Sequence, residues 1–130
     1  MTIALWCLLA ATILPYLFTG VAKFSGEGRY DNRAPREFLQ TRQGLAKRAD
    51  WAQQNSFEAL PIFVAAVLAG VVAGVANQWL ATLSLAFVVL RLLYGICYLK
   101  DWAEARSLVW AGAYLSCVTL LVMAALASSS

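Results

Sequence analysis

Four apolar stretches, separated by hydrophilic ones, take up most of this chain. They cover residues 2–24, 45–75, 79–100 and 105–127. Because a helix rises about 1.5 Å per residue, roughly 20 apolar residues cross the hydrocarbon core of a bilayer. Only 13% of the 130 residues are charged, against roughly 25% in a soluble domain. We therefore predict a single all-α domain, residues 1–130, that forms an integral membrane four-helix bundle with the lipid bilayer as its partner.

The charged residues predict how the bundle is oriented. Nothing basic precedes the first apolar stretch, which is also too long for a signal peptide, so we interpret it as a retained span. The basic residues concentrate next to the first and third connections, whereas the turn at 76–78 is uncharged. The positive-inside rule then places the charged connections in the cytoplasm and both termini on the opposite side. Anionic lipid headgroups and a bound ligand explain these basic residues about equally well.

Composition excludes several classes of function. The chain has no histidine, which removes the commonest general base and metal ligand. Its three cysteines lie inside apolar stretches at spacings that match no metal motif, so we interpret them as small buried side chains and predict no metal site. The basic residues form no face on a soluble scaffold, and we expect no nucleic-acid partner.

The second apolar stretch begins with a polar block, RADWAQQNSFE, that continues without a turn signal into the apolar run. On one helix, Arg48, Trp51, Asn55 and Glu58 share a face. Polar groups of this kind are costly inside a membrane unless they are paired or functional. By contrast Ala66, Gly70 and Gly74, spaced by four, predict close packing against another helix.

Two further polar groups are expected at the same depth as this block. Arg91, Tyr94 and Tyr98 share a face of the third span, and Arg106 and Ser107 begin the fourth. A buried Glu58–Arg91 pair that only fixes helix packing is one interpretation. A polar pocket for an anionic, amide-rich small molecule is the other, because Arg, Asn, Gln and Tyr bind carboxylates and amides well. The tyrosines also suit an interfacial belt.

These motifs resemble those of the MAPEG family, the membrane-associated proteins in eicosanoid and glutathione metabolism. The resemblance lies in Arg48-Ala-x-x-Ala-x-x-Asn55-x-x-Glu58 with Pro61 and Phe63, in Arg91-x-x-Tyr94-x-x-x-Tyr98, and in Arg106-Ser107. The loop DNRAPR at 31–36 resembles the bacterial branch of the family. Together the motifs span nearly the whole chain.

The resemblance implies a homotrimer in the bacterial inner membrane that binds glutathione as co-substrate between protomers. Asn55 and Glu58 would hold the peptide, with Gln53 supplied by the neighbouring subunit and Tyr94 and Tyr98 contacting the tripeptide. The residues implied in binding glutathione are Arg48, Gln53, Asn55, Glu58, Arg91, Tyr94 and Tyr98.

Arg106 with Ser107 would activate the thiol, because a neighbouring cation favours the reactive thiolate. Trp51 departs from the pattern, since family members that make leukotrienes and prostaglandins carry an arginine at that position.

The sequence therefore favours a membrane-bound glutathione transferase-like or peroxidase-like enzyme. It would conjugate or reduce a lipophilic substrate that enters from the bilayer. The alternative is a non-catalytic binding or accessory subunit that keeps the fold, and Trp51 favours it slightly. A small transporter or channel subunit is a third interpretation, and the intramembrane charges of Glu58 and Arg91 are its only support.

Overall fold

The computed structural model describes residues 1–129 and contains five helices over that range. They are α1 (Thr2–Phe24), α2 (Pro35–Gln40), α3 (Gly44–Val72), α4 (Asn77–Leu99) and α5 (Ala103–Ser128). All but α2 are long and apolar enough to cross a membrane. The predicted all-α architecture with four membrane-capable helices is therefore confirmed, and the chain is an integral membrane protein.

The ends of the helices differ from the predicted ones because two turns stop them earlier. Helix α3 ends at Val72 rather than at 75, since Gly74 adopts φ +74° and Val75 N–H donates to the Gly70 carbonyl at 2.9 Å. This closure of the last turn is typical of a Schellman motif, which favours glycine at the left-handed position. Asp101, at φ 59°, closes α4 in the same way, and Trp102 N–H donates to the Cys97 carbonyl at 2.8 Å.

The short helix α2 was not predicted. The residues just before it favour a turn, and the turn is present. Asp31 Oδ1 accepts a hydrogen bond there from Arg33 N–H at 2.9 Å. Pro35 then occupies the first helical position, where the missing N–H costs nothing and φ already suits a helix.

The four long helices pack as two antiparallel pairs around a core of small and aromatic side chains. Helix α4 packs along α5 and α1 along α3, while α3 also contacts α4 and α5. Phe63 and Phe87 stack with ring centroids 3.9 Å apart. At Gly70 an added Cβ would lie 2.8 Å from Leu80 Cδ2, and Ala66 is buried, so these two residues of the predicted ridge pack inside the protomer. Gly74 lies beyond the end of α3, and an added Cβ there would meet nothing within 4 Å.

The N-terminus and the charged connections lie at opposite ends of the bundle. The Met1 ammonium donates to Asn77 Oδ1 at 2.9 Å, which ties the N-terminus to the turn between α3 and α4. The connections on either side of α2 and between α4 and α5 therefore share the other end. The three cysteines are buried and unpaired.

Candidate functional site

A chain of hydrogen bonds links α4 to the outer face of α3. Arg91 Nη2 donates to Asn55 Oδ1 at 2.8 Å, and Asn55 Nδ2 donates to Glu58 Oε2 at 3.3 Å. Arg91 is 2% exposed, Asn55 is half-buried and Glu58 is exposed. The amide thus stands between the two charges, and the direct Glu58–Arg91 pair, one of the two interpretations of the sequence, is not formed.

The amide of Asn55 is oriented by its two charged neighbours. Arg91 on one side donates a hydrogen bond to its carbonyl oxygen, and Glu58 on the other side accepts one from its N–H. Hydrogen bonds with a charged partner are roughly twice as strong as neutral ones. The arrangement holds Glu58 in place while leaving its other lone pairs free for a ligand.

Aromatic rings form the wall of a groove beside this chain. Trp51 and Tyr98 have ring centroids 6.2 Å apart, and Tyr94 meets Tyr98 edge to face at 5.6 Å. Both tyrosines carry a cation on a face: Arg91 lies 4.1 Å from the Tyr94 centroid and Arg106 lies 4.2 Å from that of Tyr98. The arginines and tyrosines predicted from separate spans are therefore brought together.

We call this space the polar groove. It has a volume of about 320 Å³. It is lined by Trp51, Gln54, Asn55, Glu58, Tyr94 and Tyr98.

A second cavity of about 340 Å³ adjoins the polar groove and shares Asn55 and Glu58 with it. We call it the apolar cavity. Its remaining lining is Ala59, Ile62, Phe87, Arg91, Trp110, Ala113 and Tyr114. Trp110 and Tyr114 stack nearly parallel, at 3°, and are about half exposed. The polar groove and the mostly apolar cavity are thus direct neighbours.

On its other side, the polar groove continues past Gln54 into a third cavity of about 490 Å³. Asp50, which is 3% exposed, accepts hydrogen bonds there from Gln53 Nε2 at 3.2 Å and Gln54 Nε2 at 3.1 Å. Thr19 of α1 donates to Gln53 Oε1. Gln53 is therefore fixed inside its own protomer, although it still lines this third cavity together with Arg36 of α2.

Two of the predicted site residues have other partners. Arg48 donates to the Leu99 carbonyl from Nε at 3.4 Å and from Nη2 at 3.2 Å, where it satisfies the end of α4. Ser107 is exposed and donates to the Ala103 carbonyl at 3.2 Å.

The lining residues that sequence reasoning missed include Asp50, Gln54, Trp110 and Tyr114. Asp50 and Gln54 stand four residues apart in the polar block, and so do Trp110 and Tyr114 at the start of the fourth span. Side chains at this spacing are neighbours on a helix, so the signal was present in both places.

The conserved-sequence model of the MAPEG family matches residues 3–126. Neither a curated protein nor a solved structure matches the chain. Among residues 1–129, no group of three or more His, Cys, Asp or Glu side chains is placed to hold a metal ion.

Proposed function

Because the chain belongs to the MAPEG family, we propose that it is a membrane enzyme that binds glutathione in the polar groove and uses its thiol on a lipophilic substrate. Family membership suggests a membrane protein of glutathione or eicosanoid metabolism. The finer proposal is transfer of the glutathionyl group to an electrophile, or reduction of a lipid hydroperoxide.

The hydrogen-bond chain from Arg91 through Asn55 to Glu58 is the observation that carries this proposal. A buried cation and an exposed carboxylate joined by an oriented amide suit a zwitterionic peptide, which offers carboxylates, amides and an ammonium. The alternative of a direct Glu58–Arg91 pair is not formed. Here the carboxylate remains exposed and lines all three cavities.

The apolar cavity supports a lipophilic second substrate. It shares Asn55 and Glu58 with the polar groove, so a molecule held in the cavity lies beside a ligand held in the groove. In conjugation, the sulfur forms a C–S bond and the electrophile's leaving group departs with its electron pair. In reduction, the thiolate takes the terminal oxygen of a hydroperoxide and the alcohol leaves. A second glutathione then gives the disulfide and water.

Arg106 is the cation we assign to thiol activation. Its guanidinium lies over Tyr98, a ring that lines the polar groove. A cation near the sulfur lowers the cost of the thiolate, which is the nucleophile. Arg106 is half-buried, and its attraction for a thiolate is therefore less screened than that of a surface residue.

The proposed assembly is a homotrimer in a bacterial inner membrane, with the charged connections in the cytoplasm. The support is the lateral surface of α3, which exposes Gln54 and Glu58. Polar side chains on the outside of a membrane span are costly against lipid. A second copy that covers this surface would complete the site and remove that cost.

Calorimetric titration of glutathione into the detergent-purified protein tests the binding step. We expect saturable heat for the wild type and none for the Asn55→Ala, Glu58→Ala double variant. An Asn32→Ala, Glu104→Ala variant changes two exposed residues, one in the connection before α2 and one in the first turn of α5, and should bind as the wild type does. Absence of heat with wild-type protein at millimolar glutathione would remove the proposal.

A non-catalytic binding or accessory subunit is the second candidate. The observation in its favour is Ser107, one of the two residues expected in the chemistry, whose hydroxyl is exposed and occupied by the Ala103 carbonyl. Turnover of a generic electrophile with glutathione separates the candidates. The enzyme shows turnover that Arg106→Ala abolishes with binding retained, whereas an accessory subunit binds glutathione without turnover.

A further inference from the structure

A buried carboxylate stands behind the polar groove. Asp50 is 3% exposed, and each of its two oxygens accepts a hydrogen bond from a glutamine of the next turn, Gln53 or Gln54. It forms no ion pair within the part of the chain that the structure describes. Two amide N–H groups therefore compensate the charge, as a buried carboxylate requires.

Because Asp50 is acceptor-only when ionised, it dictates which end of each amide faces it. Gln53 turns its nitrogen to Asp50, and its oxygen accepts from Thr19 of α1. Gln54 also turns its nitrogen inward. Its side chain is exposed and lines both the polar groove and the third cavity. Because the nitrogen is bonded to Asp50, the oxygen is the end of the amide that is left for a ligand.

Gln54 and Glu58 are four residues apart on α3 and therefore adjacent on its surface. Both line the polar groove. The groups left for a ligand are then acceptors, an amide oxygen and a carboxylate, and the Asn55 amide nitrogen already donates to Glu58. A ligand that meets this pair must bring donors, and a primary ammonium brings three on one positive charge.

We propose that Asp50 is a positioning residue that holds the Gln54 carbonyl toward the polar groove, so that Gln54 and Glu58 together bind the ammonium group of the thiol ligand. This inference rests on the proposed function and names the group of glutathione that anchors it. Asparagine at position 50 would present both a donor and an acceptor, and Gln54 would then be free to turn its nitrogen outward.

The test compares glutathione with its analogue that lacks the α-amino group, glutaryl-cysteinyl-glycine, by calorimetric titration of the full-length protein. The measured quantity is the ratio of the two dissociation constants. For the wild type we expect the analogue to bind about tenfold or more weakly, because a charge-assisted hydrogen bond is lost. Asp50→Asn and Gln54→Met should each reduce that ratio by about fivefold, and the double variant by no more than Gln54→Met alone.

Glu37→Gln, an acid-to-amide change at an exposed position of α2, is the matched control and should keep the wild-type ratio. A purely structural role for Asp50 would weaken both ligands equally and leave the ratio unchanged, which overturns the inference. If Asp50→Asn does not fold, an unchanged ratio in Gln54→Met overturns it as well. Wild-type protein that binds neither ligand would remove the proposed function together with this inference, whereas binding with an unaltered ratio removes only the inference.

Discussion

Replacing Arg42 should destabilise the end of the bundle that carries the charged connections. The side chain is 6% exposed. Its guanidinium reaches three backbone carbonyls, one in the last turn of α1 and two in the connection that follows. Nε donates to Ala22 at 3.0 Å, Nη1 to Glu27 at 2.5 Å, and Nη2 to Ser25. The Phe38 ring lies 4.7 Å below the guanidinium carbon. One buried cation thus satisfies both the last turn of α1 and the loop that follows it.

The size of the effect follows from these contacts. A hydrogen bond from a charged donor contributes about 1.5–3 kcal/mol. The three bonds share one desolvation cost, so their sum is an upper bound. Removing one side of a buried charged network costs about 3–5 kcal/mol in other proteins. We therefore expect Arg42→Ala to lower the free energy of unfolding by about 3–5 kcal/mol. Arg42→Lys should lose about half as much, because an ammonium cannot reach all three carbonyls from a single point.

The assay is unfolding in mixed micelles by a denaturing detergent, followed by helical circular dichroism. The matched control is Arg29→Ala, an exposed arginine of the same connection, which should change the free energy of unfolding by less than about 0.5 kcal/mol. If Arg42→Ala and Arg29→Ala unfold at the same detergent fraction, the three carbonyl contacts contribute nothing and the reasoning is refuted.

Three further changes have expected outcomes in the same assay. An alanine Cβ at Gly95 would lie 1.8 Å from Phe18 Cζ, so Gly95→Ala should cost about 1–3 kcal/mol, and adding Phe18→Leu should recover part of that loss. Gly20→Ala meets nothing within 4 Å and should stabilise α1 by up to about 1 kcal/mol; a loss would show that the helix surface there is covered. Arg48→Ala removes the bonds to the Leu99 carbonyl and should lower the free energy of unfolding by about 1 kcal/mol. The same change at a surface arginine without hydrogen bonds should have a smaller effect.

The spans could be predicted from the sequence because their signal is the length of an apolar run, which must match the thickness of the bilayer's hydrocarbon core. Their ends could not, because turn chemistry decides them. Gly74 ends α3 where the apolar pattern continues to 75, and Asp101 adopts a left-handed conformation that few residues other than glycine visit. The short helix α2 depends on Pro35 following an Asp31 turn, and the same residues also suit an irregular loop.

The meeting of Asn55, Glu58 and Arg91 could also be predicted, because helical spacing fixes the face of each residue and hydropathy fixes its depth. The choice of partner within the group could not. Arg48 shares the face of Asn55, yet it bonds the Leu99 carbonyl, since an unsatisfied helix end competes for any cation within reach. Likewise Asn55 is shorter than Glu58 and lies closer to Arg91, and it takes the contact that charge alone assigns to Glu58.

The polar block of α3 separates into two sets of side chains with different physical roles. Asp50 and Gln53 face inward and have partners within the protomer. Gln54 and Glu58 face outward, where each presents an unshared oxygen at the lateral surface of a membrane helix. The inward set explains how the block is tolerated in a span. It does not explain the outward set, whose cost a ligand or a neighbouring protomer would offset. Removing the ligand or the neighbouring protomer should therefore change the surroundings of Gln54 and Glu58. It should leave unchanged the opposite end of the bundle, where Leu80 packs on Gly70.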